Sequence, residues 1–260
     1  KYDGGSGFKD RRMYAASEGI PIAADQYLEA EKELKIKNFI REAKPPHLLD
    51  LGCGTGWFSF EISECSPGSV ICGIDISTYR TGLFQDQIDR AGRREKIFAA
   101  AANAENLPFK NGYFEVAVMD EVVEHLQDPA KTLAETMRVL KPGGCLILTT
   151  PSRPMARFWK TAAIIPTLLK RLIKNEPLRS KCYGSIYEKL LSSSELMELS
   201  SKAGFRIERW EKAIFLPHES YLQFIPPPLL GAMIPAARIL GRIPFLKFLG
   251  LHHLILLRKK

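Results

Sequence analysis

Residues 48–56, LLDLGCGTG, decide the fold of this 260-residue chain. An apolar run that contains Asp50 passes directly into glycines at three alternate positions, Gly52, Gly54 and Gly56. Such a run, followed by a glycine-rich turn, is typical of a buried parallel strand whose end exposes backbone N–H groups to a ligand. The stretch therefore predicts the first strand of an α/β domain, with a ligand bound at its carboxyl end.

The glycine spacing and two nearby acids indicate the chemistry of that ligand. A dinucleotide-binding loop follows the pattern G-x-G-x-x-G, but the position of its third glycine holds Trp57. Asp50 places a negative charge beside the loop, which favours a ligand ammonium over a phosphate. The next apolar run ends at Asp75, at the spacing where an acid accepts hydrogen bonds from ribose hydroxyls. The predicted ligand is a ribonucleoside with a cationic tail.

Four motifs in a fixed order extend this pattern over roughly residues 44–151. They are LLDLGCGTG, GIDIS at 73–77, NAENLPF at 103–109 and RVLKPGG at 138–144. Together they resemble the class I S-adenosylmethionine-dependent methyltransferases, in particular the small-molecule enzymes of the ubiquinone-biosynthesis type. The resemblance implies S-adenosyl-L-methionine as the cofactor. It also implies a doubly wound α/β fold, a seven-stranded and mostly parallel Rossmann-like sheet with helical insertions.

The same resemblance assigns a set of cofactor-binding residues. Carried over motif by motif, they are Asp50, Gly52, Cys53, Gly54, Gly56, Asp75, Ile76, Asn103, Ala104 and Asp120. Asp75 is expected on the ribose hydroxyls and Asn103 beside the adenine. The family usually has an aspartate in place of Asn103, but an amide oxygen also accepts a hydrogen bond from the adenine amino group. Cys53 is expected as a small residue that fits the loop, not as a catalytic thiol.

Alternating helical and apolar patterns predict a single domain, residues 1–260. Its parts are an N-terminal arm and helix (1–43), a cofactor-binding core (44–151) and two substrate or lid insertions (152–182 and 214–250). Strands are predicted at 47–51, 70–75, 96–101, 114–119, 144–150 and 252–258, with a sixth strand after Gly204; helices are predicted at 24–43, 56–64, 80–91 and 129–139. KPGG at 141–144 is expected as a turn before the fifth strand. Ser193 or Ser194 is expected to cap the last helix.

Charge is distributed unevenly along the chain. Residues 1–150 hold 18 Lys and Arg against 22 Asp and Glu, whereas residues 151–260 hold 19 against 7, so the net charges are −4 and +12. In the basic part, residues 155–174 show an amphipathic helical pattern with Pro166 within it, and four prolines break the uncharged run 220–237. These segments predict a lid over an apolar pocket, or a patch in peripheral contact with a membrane, in preference to a membrane-spanning helix.

The composition also indicates the cellular compartment of the protein and the class of its binding partner. Five cysteines without a C-x-x-C pair are typical of reduced thiols, and the first residues lack a signal-peptide pattern, so we expect a cytoplasmic protein, peripheral to the membrane at most. Nucleic acid is not the expected partner, because the basic residues alternate with aliphatic side chains and not with exposed aromatic side chains that could stack on bases. The expected partner is a small lipophilic acceptor, and the sequence carries no prediction of an oligomeric state.

Residues 121–125, EVVEH, are the candidate catalytic residues. On a helix, offsets of three and four would bring Glu121, Glu124 and His125 onto one face just beyond the strand that ends near Asp120. Three alternatives remain open for this group: ligands of a divalent cation such as Mg²⁺, a metal-free base at His125, or a structural pair. The motif resembles that of metal-assisted O-methyltransferases, which also use a later histidine, and residues 181–191 contain none.

The other histidines are weaker candidates. His47, His252 and His253 lie at predicted strand starts and are expected to be surface or strand residues, whereas His218 lies in the second insertion and is a minor candidate for a second base.

The leading functional prediction is methyl transfer from S-adenosylmethionine to a lipophilic small molecule, such as O-methylation of a quinone precursor or polyprenyl compound. The alternatives are an RNA methyltransferase and a membrane-docked protein that binds the cofactor without transferring its methyl group.

Overall fold

The computed structural model of the protein describes residues 22–162, 189–213 and 249–260, together with the single residues 229, 233, 239 and 243. The helices are α1 (Ile22–Ala43), α2 (Trp57–Cys65), α3 (Thr78–Arg90), α4 (Pro129–Val139), α5 (Arg153–Ala162) and α6 (Ser193–Lys202). The strands are β1 (His47–Leu51), β2 (Val70–Asp75), β3 (Ile97–Ala101), β4 (Phe114–Asp120), β5 (Leu140–Pro151), β6 (Phe205–Ala213) and β7 (His252–Lys259). A short 3₁₀ turn, Val123–His125, follows β4.

The seven strands form one sheet in the order β3-β2-β1-β4-β5-β7-β6. The first five strands pair in parallel, and β7 runs antiparallel to both β5 and β6. The chain order reverses between β1 and β4, which is the switch point where ligands of open α/β sheets bind beyond the carboxyl ends of the strands. The predicted fold class is confirmed, and the glycine loop lies at this switch point.

Apolar side chains cover both faces of the sheet, as expected for parallel strands that read as continuous apolar runs. On one face, Leu49 and Leu146 belong to a buried cluster with Leu133 of α4 and Leu196 of α6. On the other face, the cluster joins the sheet to α1 and α2; its members include Ile36, Ile40, Leu48, Phe58, Ile62 and Ile147. This second cluster fixes α1 against the sheet beside the switch point.

Most predicted bounds agree with the structure to within two residues, but the start of β5 and the cap of α6 were predicted wrongly. Strand β5 begins at Leu140, not at 144, because KPGG forms an irregularity within the strand: Phe114 pairs with Leu140, whereas Val116 pairs with Cys145. Gly143 has a φ of 73° there. The cap of α6 is Ser192, not Ser193 or Ser194, since Glu195 completes a reciprocal capping box with it.

Several predictions concern residues outside the described ranges. They include the N-terminal arm, Pro166, the second half of the amphipathic pattern, His218 and most of the apolar insertion. Among the helices that the structure describes, none combines the length and the apolar character that crossing a bilayer requires.

Candidate active site

The glycine loop between β1 and α2 takes a left-handed backbone conformation at each of its three alternate glycines. Gly52, Gly54 and Gly56 have φ angles of 74°, 56° and 85°. The loop is tied to β2, because Asp75 Oδ2 accepts a hydrogen bond from the Gly54 N–H at 3.0 Å and Asp75 Oδ1 accepts one from the Ser77 N–H at 2.9 Å. The predicted ribose acid therefore also shapes the loop.

Two of these glycines also permit close packing. A Cβ atom on Gly52 would overlap the Val122 side chain, and one on Gly56 would overlap the Phe84 ring, which is fully buried. A Cβ atom on Gly54 would meet no atom within 4 Å. Gly52 and Gly56 thus bring the loop against its neighbours, whereas Gly54 is needed for its backbone angle alone.

A cavity of about 330 Å³ opens beside the loop at the carboxyl ends of the strands. Its lining residues are Gly52, Ile74, Asp75, Ile76, Ser77, Arg80, Ala102, Asn103, Ala104, Glu105, Glu121, Val122, His125, Leu126 and Gln127. Five of the predicted cofactor-binding residues, Gly52, Asp75, Ile76, Asn103 and Ala104, thus line the same cavity. Glu121 and His125 lie on the same cavity, so the predicted catalytic residues share it with the predicted cofactor residues.

Asn103 already makes one hydrogen bond within its loop. Its Oδ1 accepts from the Glu105 N–H at 2.9 Å. A carbonyl oxygen has two lone pairs, so the hydrogen bond expected with the adenine amino group remains available to it.

Asp50 was expected beside a ligand ammonium, but its carboxylate is buried and lies outside the lining of the cavity. It is 3% exposed and accepts a hydrogen bond from Ser59 Oγ at 2.5 Å. Burial raises the pKa of Asp50 to about 7. The hydrogen bond from Ser59 lowers this pKa, and the negative charges of Asp120 and Asp75 raise it further. The acid therefore joins β1 to α2 through Ser59, whereas the sequence had led us to place it on the ligand side.

Cys53, Gly54, Gly56 and Asp120 also lie outside the lining of this cavity. Cys53 is buried, and burial raises the pKa of its thiol. This agrees with a space-filling role for Cys53 in the loop, since only a thiolate is strongly nucleophilic.

The raised pKa of Asp50 leads to a prediction about stability. Between the ordinary carboxyl pKa of 3.8 and the folded-state value of about 7, the unfolded chain loses a proton that the folded protein keeps, so stability falls as the pH rises. Asp50→Asn removes this effect. We expect the variant to gain about 2–4 kcal/mol relative to the wild type between pH 4 and pH 7, with no further gain above pH 7.

Urea denaturation across this pH range measures the difference. The exposed Asp86 supplies a matched control, and Asp86→Asn is expected to change stability by less than about 0.5 kcal/mol at any pH. An Asp50→Asn difference that stays constant from pH 4 to pH 7 would contradict the burial argument.

The prediction that Glu121, Glu124 and His125 share one helix face is wrong. Glu121 has a φ of 56° and precedes a 3₁₀ turn instead of an α-helix, so the three residues do not share a helix face. Glu124 is buried and accepts a hydrogen bond from Thr150 Oγ1 at 3.1 Å, while Glu121 and His125 line the cavity. Burial, and then the charge of Glu121, raise the pKa of Glu124. A neutral, buried Glu124 fits the structural alternative.

The absence of a shared helix face at residues 121–125 removes the support for a Mg²⁺ site. In residues 22–162, 189–213 and 249–260, no three His, Cys, Asp or Glu side chains are grouped so that they could hold a metal ion. We therefore assign no metal ligand to this turn.

A charged cluster that the sequence did not predict surrounds Glu121. Lys32 of α1 is 1% exposed, and its Nζ lies 2.9 Å from Asp120 Oδ1 and 3.6 Å from Glu121 Oε1. His252, the first residue of β7, places Nδ1 2.9 Å from the same Glu121 oxygen, and Thr149 Oγ1 lies 3.0 Å from it. Burial opposes the ionisation of Glu121, but Lys32 and His252 outweigh it and hold its pKa well below the usual range.

The neighbouring His253 is engaged in a separate network. Its Nδ1 accepts a hydrogen bond from Trp210 Nε1–H at 2.8 Å, and its Nε2 lies 3.0 Å from Lys212 Nζ, which donates to Ser152 Oγ. Burial and the charge of Lys212 lower the pKa of His253 to about 3, and burial lowers that of Lys212 to about 8. His253 is therefore a neutral, buried residue that joins β6 and β7.

Comparisons with known proteins agree with the motif order. Residues 49–148 match the family model described as a methyltransferase domain. A demethylmenaquinone methyltransferase of Lactiplantibacillus plantarum is 28% identical over 184 residues, which cover 68% of this chain and 77% of the relative. One of Bacteroides fragilis is 30% identical over 189 residues, covering 70% of this chain and 76% of the relative.

A solved structure is similar in fold. That of a proposed sarcosine dimethylglycine methyltransferase from Galdieria sulphuraria has a TM-score of 0.61 at 17% identity and covers 92% of this chain and 88% of that one. Fold, motif order and the two relatives lead to one conclusion: the chain belongs to the class I S-adenosylmethionine-dependent methyltransferases of the ubiquinone and menaquinone type.

Proposed function

We propose that the protein transfers the methyl group of S-adenosylmethionine to a lipophilic quinol. The observation that carries this proposal is that the predicted nucleoside-binding residues line the same cavity as Glu121 and His125. The names of the two relatives supply the acceptor class, since both are demethylmenaquinone methyltransferases.

In this proposal, the adenosine part of the cofactor occupies the side of the cavity next to β2 and β3. Asp75 accepts from the ribose hydroxyls, Asn103 faces the adenine amino group, and Ile76, which is 61% exposed, packs on the base. The Gly52 to Gly56 loop leaves room for the methionine part.

The acceptor lies beyond the methyl group, between the 3₁₀ turn and the insertions. Val122 and Leu126 give that side of the cavity an apolar lining. We propose residues 152–182 and 214–250 as the cover of the acceptor site, because these segments combine apolar and basic side chains. A dry, covered site favours methyl transfer, since alignment of the two reacting atoms supplies much of the catalysis.

Peripheral membrane contact follows from the same segments. The net charge of +12 over residues 151–260 would attract anionic lipid, and Phe158 on α5 is 58% exposed beside the exposed Arg157. A membrane-bound quinol would then reach the cavity without passing through water.

The test is a methyl-transfer assay with labelled S-adenosylmethionine and reduced demethylmenaquinone in lipid vesicles. We expect label in the quinol. We also expect kcat/KM to fall at least about tenfold for an analogue without the prenyl tail, because the tail contributes apolar contact area. Vesicles with anionic lipid should give faster transfer than neutral vesicles, and added salt should remove the difference.

Two results would contradict the proposal. Label that enters RNA transcripts but no quinol would favour the RNA methyltransferase. Binding of S-adenosylhomocysteine without transfer to either class of acceptor would favour a cofactor-binding protein without transfer activity.

A further inference from the structure

The contact between Glu121 and His252 fixes the tautomer of the imidazole. The charge of Lys32, 3.6 Å away, favours the ionised form of Glu121, in which both oxygens can only accept hydrogen bonds. The 2.9 Å contact with His252 Nδ1 therefore requires a proton on Nδ1. A neutral imidazole has one N–H group, and Nε2 is consequently left with a free electron pair that can accept a proton.

The backbone and three neighbours hold Glu121 in position for this contact. Its φ of 56° is rare for a residue with a side chain, and such angles persist where the surroundings impose them. The Glu121 N–H lies 3.1 Å from Thr149 Oγ1, and the Glu121 carboxylate contacts Lys32 and His252. The carboxylate is thus a fixed orienting group for His252.

His252 also lies at the edge of the sheet where the parallel strands end, which is the edge that carries the cavity. It pairs with Pro151, at the carboxyl end of β5, and its side chain is 20% exposed. Glu121, its partner, lines the cavity in which we place the methyl donor. The imidazole therefore contacts a residue of the cavity lining and is itself partly exposed.

We propose that His252, oriented by Glu121, is the base that removes the hydroxyl proton of the acceptor. This inference rests on the proposed function. The acceptor O–H bond breaks and its proton moves to Nε2, while the electron pair stays on the acceptor. The oxygen, or a ring carbon conjugated with it, then forms a bond to the methyl carbon, and the methyl–sulfur bond breaks with its electron pair going to sulfur.

The products are the methylated acceptor, S-adenosylhomocysteine and one proton, which His252 returns to water. Where a ring carbon attacks, its C–H proton is lost as the ring regains aromaticity and the oxygen is protonated again, so one proton is still released per turnover. Glu121 remains ionised throughout and stabilises the imidazolium.

Charged and titratable groups of the surrounding elements are linked to this histidine directly, or through Glu121 or His253. They are Lys32 of α1, Asp120 and Glu121 after β4, Glu124 of the 3₁₀ turn, Lys212 of β6 and His253 of β7. A pH profile alone would combine their effects. The test therefore varies the acceptor as well as the pH.

The experiment compares His252→Gln with the wild type on two acceptors, reduced 1,4-naphthoquinone and a nitro-substituted hydroquinone that is already ionised at the assay pH. On the first, we expect kcat to fall by about 10²–10⁴-fold, the range for loss of a general base. On the second, no base is needed, so the variant should come within about threefold of the wild type. The ascending limb of the wild-type kcat profile against pH should be lost in the variant.

Three measurements separate this role from a structural one. S-adenosylhomocysteine affinity should be unchanged in His252→Gln, and His47→Gln, at the opposite end of β1, should keep the wild-type kcat. Glu121→Gln keeps His252 but removes the orienting carboxylate. It should show the same acceptor-dependent loss at smaller amplitude, and this variant decides the question if His252→Gln does not fold.

The inference is overturned if His252→Gln loses the same factor on both acceptors, or loses nothing. It is also overturned if His125→Ala, and not His252→Gln, shows the acceptor-dependent loss. Failure of the proposed function is distinguishable, because the wild-type protein would then methylate neither phenolic acceptor while still binding S-adenosylhomocysteine.

Discussion

Gly56→Ala is expected to destabilise the protein by about 2–5 kcal/mol. Its φ of 85° is unfavourable for any residue with a Cβ atom, which contributes about 1–2 kcal/mol. The new Cβ would also overlap the Phe84 ring, and overpacking of a buried ring adds about 1–3 kcal/mol. Urea denaturation of the purified variant, compared with the wild type at the same pH, measures the loss.

Gly54→Ala is the matched control for this substitution. Gly54 has a φ of 56°, but a Cβ atom there would meet nothing within 4 Å. We expect a loss of about 1–2 kcal/mol from backbone strain alone. Equal losses for the two variants would show that contact with Phe84 does not limit the loop.

Asp75→Ala is expected to weaken S-adenosylhomocysteine binding by about 10–150-fold, which corresponds to about 1.5–3 kcal/mol for a lost hydrogen bond to a charged group. The carboxylate has two tasks in this structure. It holds the loop through the Gly54 and Ser77 N–H groups, and it faces the cavity where we place the ribose. Isothermal titration calorimetry measures the change in affinity.

Two further variants locate the origin of this effect. Asp75→Asn retains one acceptor oxygen, so its loss should be smaller than that of Asp75→Ala. Asp86→Ala removes an acid from an exposed position of α3 and should leave binding unchanged. If Asp75→Ala weakened binding less than threefold, the ribose would have to lie elsewhere.

Most of the fold could be predicted because its elements are encoded locally. The apolar runs at 47–51 and 70–75 form strands with the predicted bounds, and the helix predicted at 129–139 also begins and ends where it was predicted to. The start of β5 was missed because KPGG has the composition of a turn, yet the partner strand β4 holds it in the sheet as an irregularity. The pairing of β4 with β5 is a tertiary contact, and it cannot be predicted from the local composition of KPGG.

The two halves of the candidate site differed in how well they could be predicted. The residues predicted to bind the nucleoside lie in contiguous motifs, and Asp75, Ile76 and Asn103 line one cavity. The charged cluster joins Lys32 and His252 to Glu121 from elements at opposite ends of the chain. Lys32 lies among other lysines of α1, and no short motif distinguishes it from them.

The helical spacing assumed for residues 121–125 was also wrong for a physical reason. The left-handed backbone of Glu121 separates its side chain from the turn that follows, so an i, i+3, i+4 argument does not apply. The sequence EVVEH does not reveal that change of backbone region. It follows from the contacts of Glu121 with Thr149, Lys32 and His252.

The central claim is that the cavity beside the glycine loop binds S-adenosylmethionine. Calorimetric titration of the wild-type protein with S-adenosylhomocysteine and, separately, with NADH tests it most directly. We predict saturable binding of one S-adenosylhomocysteine per chain and no detectable binding of NADH. Tight NADH binding without S-adenosylhomocysteine binding would contradict the account.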